Sequence, residues 1–126
     1  CRSLNIAIAD DEPEVCKHFA DALKASGHQI LVCAQNGQEL VDRCRETRPD
    51  LLITDIRMEG LTGIDAMHEL NQEEPLPTIL ISAHYKPEEL DGELDGQVIA
   101  FLQKPVKLAE LYRAVDHAAI RIAKRD

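Results

Sequence analysis

At 126 residues the chain is long enough to bury a core of its own without staples, so a single domain spanning 1–126 is expected. A formal charge of -9, from 14 Lys and Arg against 23 Asp and Glu, excludes a nucleic-acid-binding surface, which needs clustered cations. No apolar run approaches the ~20 residues of a membrane span and no signal-peptide pattern opens the chain, so a cytoplasmic protein without membrane contacts is expected.

Leu4 to Ala9 reads as a first strand ending in three acids, Asp10, Asp11 and Glu12, with Pro13 at the first turn of a helix. Val15, Phe19, Ala22 and Leu23 form that helix's apolar face, and Gly27 is suited to cap it. Gln29 to Cys33 is a second strand. Asn36 followed by Glu39 resembles a capping box opening a second helix, with Leu40, Val41 and Cys44 inward and Pro49 closing it.

Leu51-Leu52-Ile53-Thr54-Asp55 has the unbroken apolar, β-branched character of a strand covered on both faces, and it delivers one carboxylate at its end. A loop with Gly60 and Gly63 leads to a third helix carrying Ile64, Met67 and Leu70. Thr78 to Ile81 is a fourth strand, terminating at Ser82. Glu-Leu-Asp-Gly then occurs twice in succession from Glu89, so a helix starting at Pro87 should be short and weakly held. Val98 to Leu102 is a fifth strand leading into Lys104-Pro105. Leu108, Leu111, Val115, Ala118 and Ile122 draw the stripe of a last helix, with Arg113, Arg121, Lys124 and Arg125 on its solvated side or at its end. Strands alternating with helices imply an α/β fold, a doubly wound parallel sheet.

The four cysteines, Cys1, Cys16, Cys33 and Cys44, lack ligand or disulfide-framework spacing and are expected as free thiols in a reducing compartment. The chain opens without Met and no effector domain follows residue 126; either the domain stands alone or it is a piece of a longer protein.

Ligands of open parallel sheets bind beyond the carboxyl ends of the strands. There this sequence puts Asp10 and Asp11, Asp55, Ser82 and Lys104. Each has an ordinary explanation alone: acids cap helices, serine turns chains, lysine pairs with carboxylates. Together, three acids at one edge repel unless a hard cation joins them, and Mg²⁺ takes carboxylate oxygens while keeping waters exchangeable for phosphate. Lys104 and Ser82 suit phosphoryl oxygens, and Asp55 becomes the nucleophile of an aspartyl phosphate.

These residues resemble the response-regulator receiver domain of two-component signalling. The likeness covers essentially the whole chain, through Asp10-Asp11, Thr54 to Met58 with Gly63 beyond, Ser82-Ala83-His84 and Lys104-Pro105. It implies a flavodoxin-like (βα)5 sheet of order 2-1-3-4-5 and a signalling phosphoprotein, not an enzyme. It further implies phosphoryl transfer to Asp55 from a histidine kinase or phosphotransfer protein. Mg²⁺ would be held by Asp11, Asp55 and the backbone carbonyl of Arg57, with Asp10 acting through water, and Ser82 and Lys104 would hold the phosphoryl group. Phe101, otherwise ordinary strand core, falls where the family places a switching aromatic. The face of helix 4, strand 5 and helix 5 would change on phosphorylation and could carry a homodimer contact. The Lys104-Pro105 bond would be cis.

Three features depart from the pattern: Glu59 replaces the usual Pro after Met58, Val106 stands where Phe is frequent, and the Gly-Ala pair before strand five is absent. Arg57, a long cation two positions past Asp55, is expected to affect phosphate lifetime. Two rival readings are a haloacid-dehalogenase-type phosphatase, which wants a second Asp where Arg57 stands, and a receiver that is never phosphorylated and serves only as an interaction module.

Overall fold

The computed structural model describes residues 3–58, 60–83 and 98–125. Their strands are β1 (Asn5–Ala9), β2 (Gln29–Ala34), β3 (Leu51–Asp55), β4 (Thr78–Ser82) and β5 (Val98–Gln103). The helices are α1 (Pro13–Ala25), α2 (Gly37–Thr47), α3 (Gly63–Asn71) and α4 (Leu108–Arg125). All strand pairs are parallel and the sheet order is β2-β1-β3-β4-β5, the doubly wound order expected. Strand ends differ from the sequence reading by a residue: β1 starts after Leu4, while β2, β4 and β5 each extend one further. The helix expected from Pro87 lies outside the described residues.

Alternation of side chains across the pleat sorts the core into two layers. Ile6 and Ile8 of β1, Leu51 and Ile53 of β3, and Ile79 and Ile81 of β4 face α1 and α4. Ala7 and Ala9, Leu52, and Leu80 face α2 and α3. Each fully buried Leu or Ile contributes about 1.5–3 kcal/mol relative to exposure, so the three central strands anchor the domain.

Local signals explain the helix ends. Pro13 occupies the first turn of α1, and Gly27 takes a φ of +98° just past its end, where a side chain would be strained. At α2, the Asn36 Oδ1 accepts from the Glu39 N–H at 2.8 Å, while Glu39 Oε1 accepts from the Gln35 N–H at 2.8 Å. The return arm of the capping box therefore reaches one residue earlier than the usual pattern. Arg48 closes α2 in the left-handed region at φ 51°. Thr62 caps α3 through its hydroxyl, which accepts from the Asp65 N–H at 3.1 Å. On α4, Leu111, Val115, Ala118 and Ile122 are buried and Arg113, Arg121 and Lys124 are exposed, as the periodicity required.

Candidate functional site

β3 and β1 run out side by side, with Ala9 paired to Thr54, so Asp10 and Asp55 emerge from adjacent strand ends. Both are almost fully buried, at 1% and 5% exposure, whereas Asp11 is exposed. One carboxylate oxygen from each of the three lies within 4.8 Å of the others. The acids predicted from the sequence are therefore one cluster.

Lys104, just past β5, closes it from the far side. Its Nζ donates to Asp55 Oδ2 at 2.9 Å and pairs with Asp10 Oδ2 at 3.0 Å. Its own backbone N–H donates to the Ser82 carbonyl at 2.9 Å, and the following peptide bond to Pro105 is cis, as the resemblance implied. The remaining oxygens are also held: Asp10 Oδ1 accepts from the Glu12 N–H at 2.9 Å, and Asp55 Oδ1 from the Arg57 N–H at 3.3 Å.

Gly63 makes the packing beneath Asp55 possible. A Cβ there would sit 2.1 Å from the Asp55 carbonyl oxygen, so only glycine lets α3 begin this close to the end of β3. A side chain on Gly37 would likewise collide with the Leu61 carbonyl at 2.2 Å, so the first turn of α2 is seated against the loop beyond Asp55.

Burial pushes the Asp10 carboxyl above its ordinary value, with the Glu12 N–H and Lys104 only partly countering it. Lys104 responds the other way. Its partial burial opposes the charge, but hydrogen bonds to Asp55 and Asp10 outweigh that and hold its proton above the ordinary lysine range. One ammonium against three carboxylates leaves a negative excess, and Asp11 opens toward solvent. That donor set, all hard oxygen with one exposed arm, fits a divalent cation that keeps part of its water shell.

A cavity of about 350 Å³ opens over the cluster, lined by Asp11, Asp55, Arg57, Met58, Ala83 and Lys104, with Glu12 at its rim. Glu12, Met58 and Ala83 were visible in the sequence, as the third acid after β1 and as parts of the matching motifs, but no site role was expected of them. Ser82 ends β4 and is buried, and Ala83 rather than Ser82 lines the cavity. Phe101 is partly buried, opposite Leu80 in register, against the α2–α3 layer.

Two further cavities flank the sheet. One, of about 570 Å³, is an apolar groove adjoining the site, built from Val15, His18 and Phe19 of α1 with Pro105 and Val106. Val15 and Phe19 were expected on the apolar face of α1, but nothing in the sequence marked them as lining a groove. The other, of about 380 Å³, lies at the amino ends of β3 and β4 between Arg45, Arg48, Glu73 and Pro75, remote from the acids. Arg45 and Glu73 pair across it at 3.6 Å.

Residues 6–116 match the family model described as the response regulator receiver domain. Among curated proteins, the transcriptional regulatory protein PdtaR of Mycobacterium tuberculosis is 30% identical over 116 residues, covering 92% of this chain and 57% of PdtaR. The transcriptional regulatory protein GlrR of Escherichia coli is 30% identical over 115 residues, covering 90% of the chain and 26% of GlrR. The chain thus spans little over half of the first relative and about a quarter of the second. Among solved structures, a response regulator receiver domain protein from Clostridium thermocellum superposes with a TM-score of 0.87 at 24% identity, over 97% of this chain and 98% of that one. The receiver domain of the Erythrobacter litoralis response regulator PhyR gives 0.82 at 26% identity, over 94% and 91%.

Proposed function

From the premise that the chain belongs to the response regulator receiver domain family, a signalling module rather than a catalytic enzyme, we propose that Asp55 is its phosphoacceptor. The family implies a histidine kinase as partner in general terms. On the present reading, Asp55 attacks the phosphorus of a phosphohistidine on that kinase or on a phosphotransfer protein, and the imidazole leaves. The observation that carries the reading is the position of Lys104, whose ammonium lies against Asp55 and Asp10 together.

Asp11, Asp55 and the Arg57 carbonyl would hold Mg²⁺, with Asp10 reaching it through water. When bound, the ion supplies charge neutralisation for the incoming phosphoryl oxygens. Lys104 then exchanges a carboxylate contact for a phosphoryl oxygen, and Ser82 offers its hydroxyl to another. The Arg57 N–H steadies the nucleophile through Asp55 Oδ1. Inward movement of Ser82 would free room for Phe101, altering the face that includes β5 and α4, where a homodimer could form. The apolar groove beside Lys104 is the natural seat for the phosphodonor. No helix among the described residues is long and apolar enough to cross a membrane. Membership of the receiver family favours a cytoplasmic location. Residues 1–126 would act as a single domain.

Incubation with acetyl phosphate and Mg²⁺ should add one phosphoryl group, detected by intact mass. The adduct should be lost in Asp55→Asn and on omission of Mg²⁺. No adduct in the parent protein would leave the interaction-module reading in its place, and turnover of a generic phosphate ester would point to a phosphatase.

A further inference from the structure

Cys16 and Cys33 come from different elements yet meet in the α1–α4 layer. Cys16, on the inner face of α1, is buried at 2% exposure, and its Sγ donates weakly to the Ile8 carbonyl at 3.7 Å and the Ala34 carbonyl at 4.0 Å. Cys33 stands on edge strand β2, directly opposite Ile8 in register, is partly exposed, and packs into the same cluster. The two carbonyls that the Cys16 sulfur meets belong to Ile8, the residue opposite Cys33, and Ala34, the residue after it, so the Cys16 sulfur lies beside Cys33. Cys33 is thus the more open residue of the two and Cys16 lies behind it, with a carbonyl of the residue opposite Cys33 fixing the direction of the Cys16 sulfur.

We propose that Cys16 and Cys33 are a redox-sensitive pair that closes to an intramolecular disulfide when the protein meets hydrogen peroxide. The Cys33 sulfur attacks the peroxide; an S–O bond forms, the O–O bond breaks and water leaves, giving a sulfenic acid. The Cys16 sulfur then attacks that sulfur, the S–S bond forms, the S–O bond breaks, and a second water leaves with the Cys16 proton. Two thiols are oxidised and one hydrogen peroxide is reduced to two waters. Cys44 provides an internal control by position, because it lies in the α2–α3 layer across the sheet; burial raises the Cys16 and Cys44 thiols alike.

The bond would pull on a point that also serves the acidic site. The Ala34 carbonyl, next to Cys33 and facing Cys16, accepts the Asp10 backbone N–H at 3.0 Å. Among the described residues β2 is held by a neighbouring strand on one side only, so drawing Cys33 toward α1 displaces Ala34 and with it the backbone of Asp10. This coupling rests on the proposed Mg²⁺ site; the disulfide does not.

Protein treated with hydrogen peroxide and digested with trypsin under non-reducing conditions should yield the Cys16 peptide joined to the Cys33 peptide. The joined species should vanish with dithiothreitol and in Cys33→Ser, and persist in Cys44→Ser. Sulfinic acid at Cys33 without the linked peptide, or linkage only between two chains, overturns the pair. Calorimetric Mg²⁺ titration should show roughly tenfold weaker binding in the oxidised protein, restored by dithiothreitol, as for loss of a supporting contact behind a ligand. Equal binding in the two states overturns the coupling. Absence of Mg²⁺ binding in the reduced protein overturns the metal reading while leaving the linked peptide as the measure of the pair.

Discussion

β3 and β5 each deliver one charged residue to the same site, yet they are built differently. β3 has a strand on either side and every one of its residues is buried; among the described residues β5 has only β4 beside it, and its residues are partly or fully exposed. The β4–β5 register also shifts between Thr78 and Ile79. Asp55 is therefore fixed by packing from all directions. Lys104 is fixed chiefly by what its own ends bond to, the ammonium to Asp10 and Asp55 and the backbone to Ser82. The contrast is between a carboxylate held by packing and a cation held by its own polar bonds.

The comparison is most directly broken by core truncation. Ile53→Ala on β3 should cost about 2–5 kcal/mol in urea denaturation, whereas Ile99→Ala on β5 should cost roughly 1 kcal/mol. Equal losses would mean that β5 is as firmly packed as β3. Gly63→Ala should cost about 1–3 kcal/mol, because a methyl group cannot share space with the Asp55 carbonyl. That variant should also slow phosphate uptake from acetyl phosphate, and an unchanged rate would show that the β3 end tolerates displacement.

Titration sharpens the contrast from the charged side. The folded-state value of Asp10 is raised from 3.8, so its contribution to stability is present below that value and is lost as pH rises through the folded one. At neutral pH its charge is a net burden. Asp10→Asn should accordingly raise stability by roughly 1 kcal/mol in metal-free buffer, about 4 °C in melting temperature, while weakening the further gain on adding Mg²⁺. Lys104 has the opposite consequence. Its value is raised above 10.5, so its stabilising contribution is complete below that pH and disappears as alkaline pH passes through the folded value. Lys104→Met should flatten the alkaline limb of the stability profile, and an identical limb in both proteins would show that the pair contributes nothing. The smallest stability effect belongs to Arg57→Ala, within about 0.5 kcal/mol for an exposed side chain. Its expected signature is a changed dephosphorylation rate, and equal rates would dispose of a role for Arg57 there.

Much of this was legible in the chain because local chemistry and global fold agree. The apolar run Leu51 to Asp55 could only be a central strand, and Pro13, Gly27 and the Asn36–Glu39 pair marked helix ends that the backbone then adopted. The acids, Ser82 and Lys104 were visible as strand-end residues, but their order across the sheet came from family resemblance, since strand order leaves no mark on local periodicity. Contacts between distant segments were hidden for the same reason. Nothing near Gly37 announces that Leu61 will press against it, and nothing near Val15 announces Pro105 and Val106 across a groove. Arg48 in the left-handed region ran against expectation, as glycine is the usual choice there.

Assembly of the site from the ends of several strands has a consequence for the life of the molecule. Lys104 arrives near the end of synthesis, after every other member of the cluster, and a slip of β3 by one position would turn Asp55 to the opposite face. A nascent, truncated or misregistered chain therefore carries all its acids yet presents no finished receptacle. Competence to receive a message would double as a certificate of correct folding, which keeps immature copies silent.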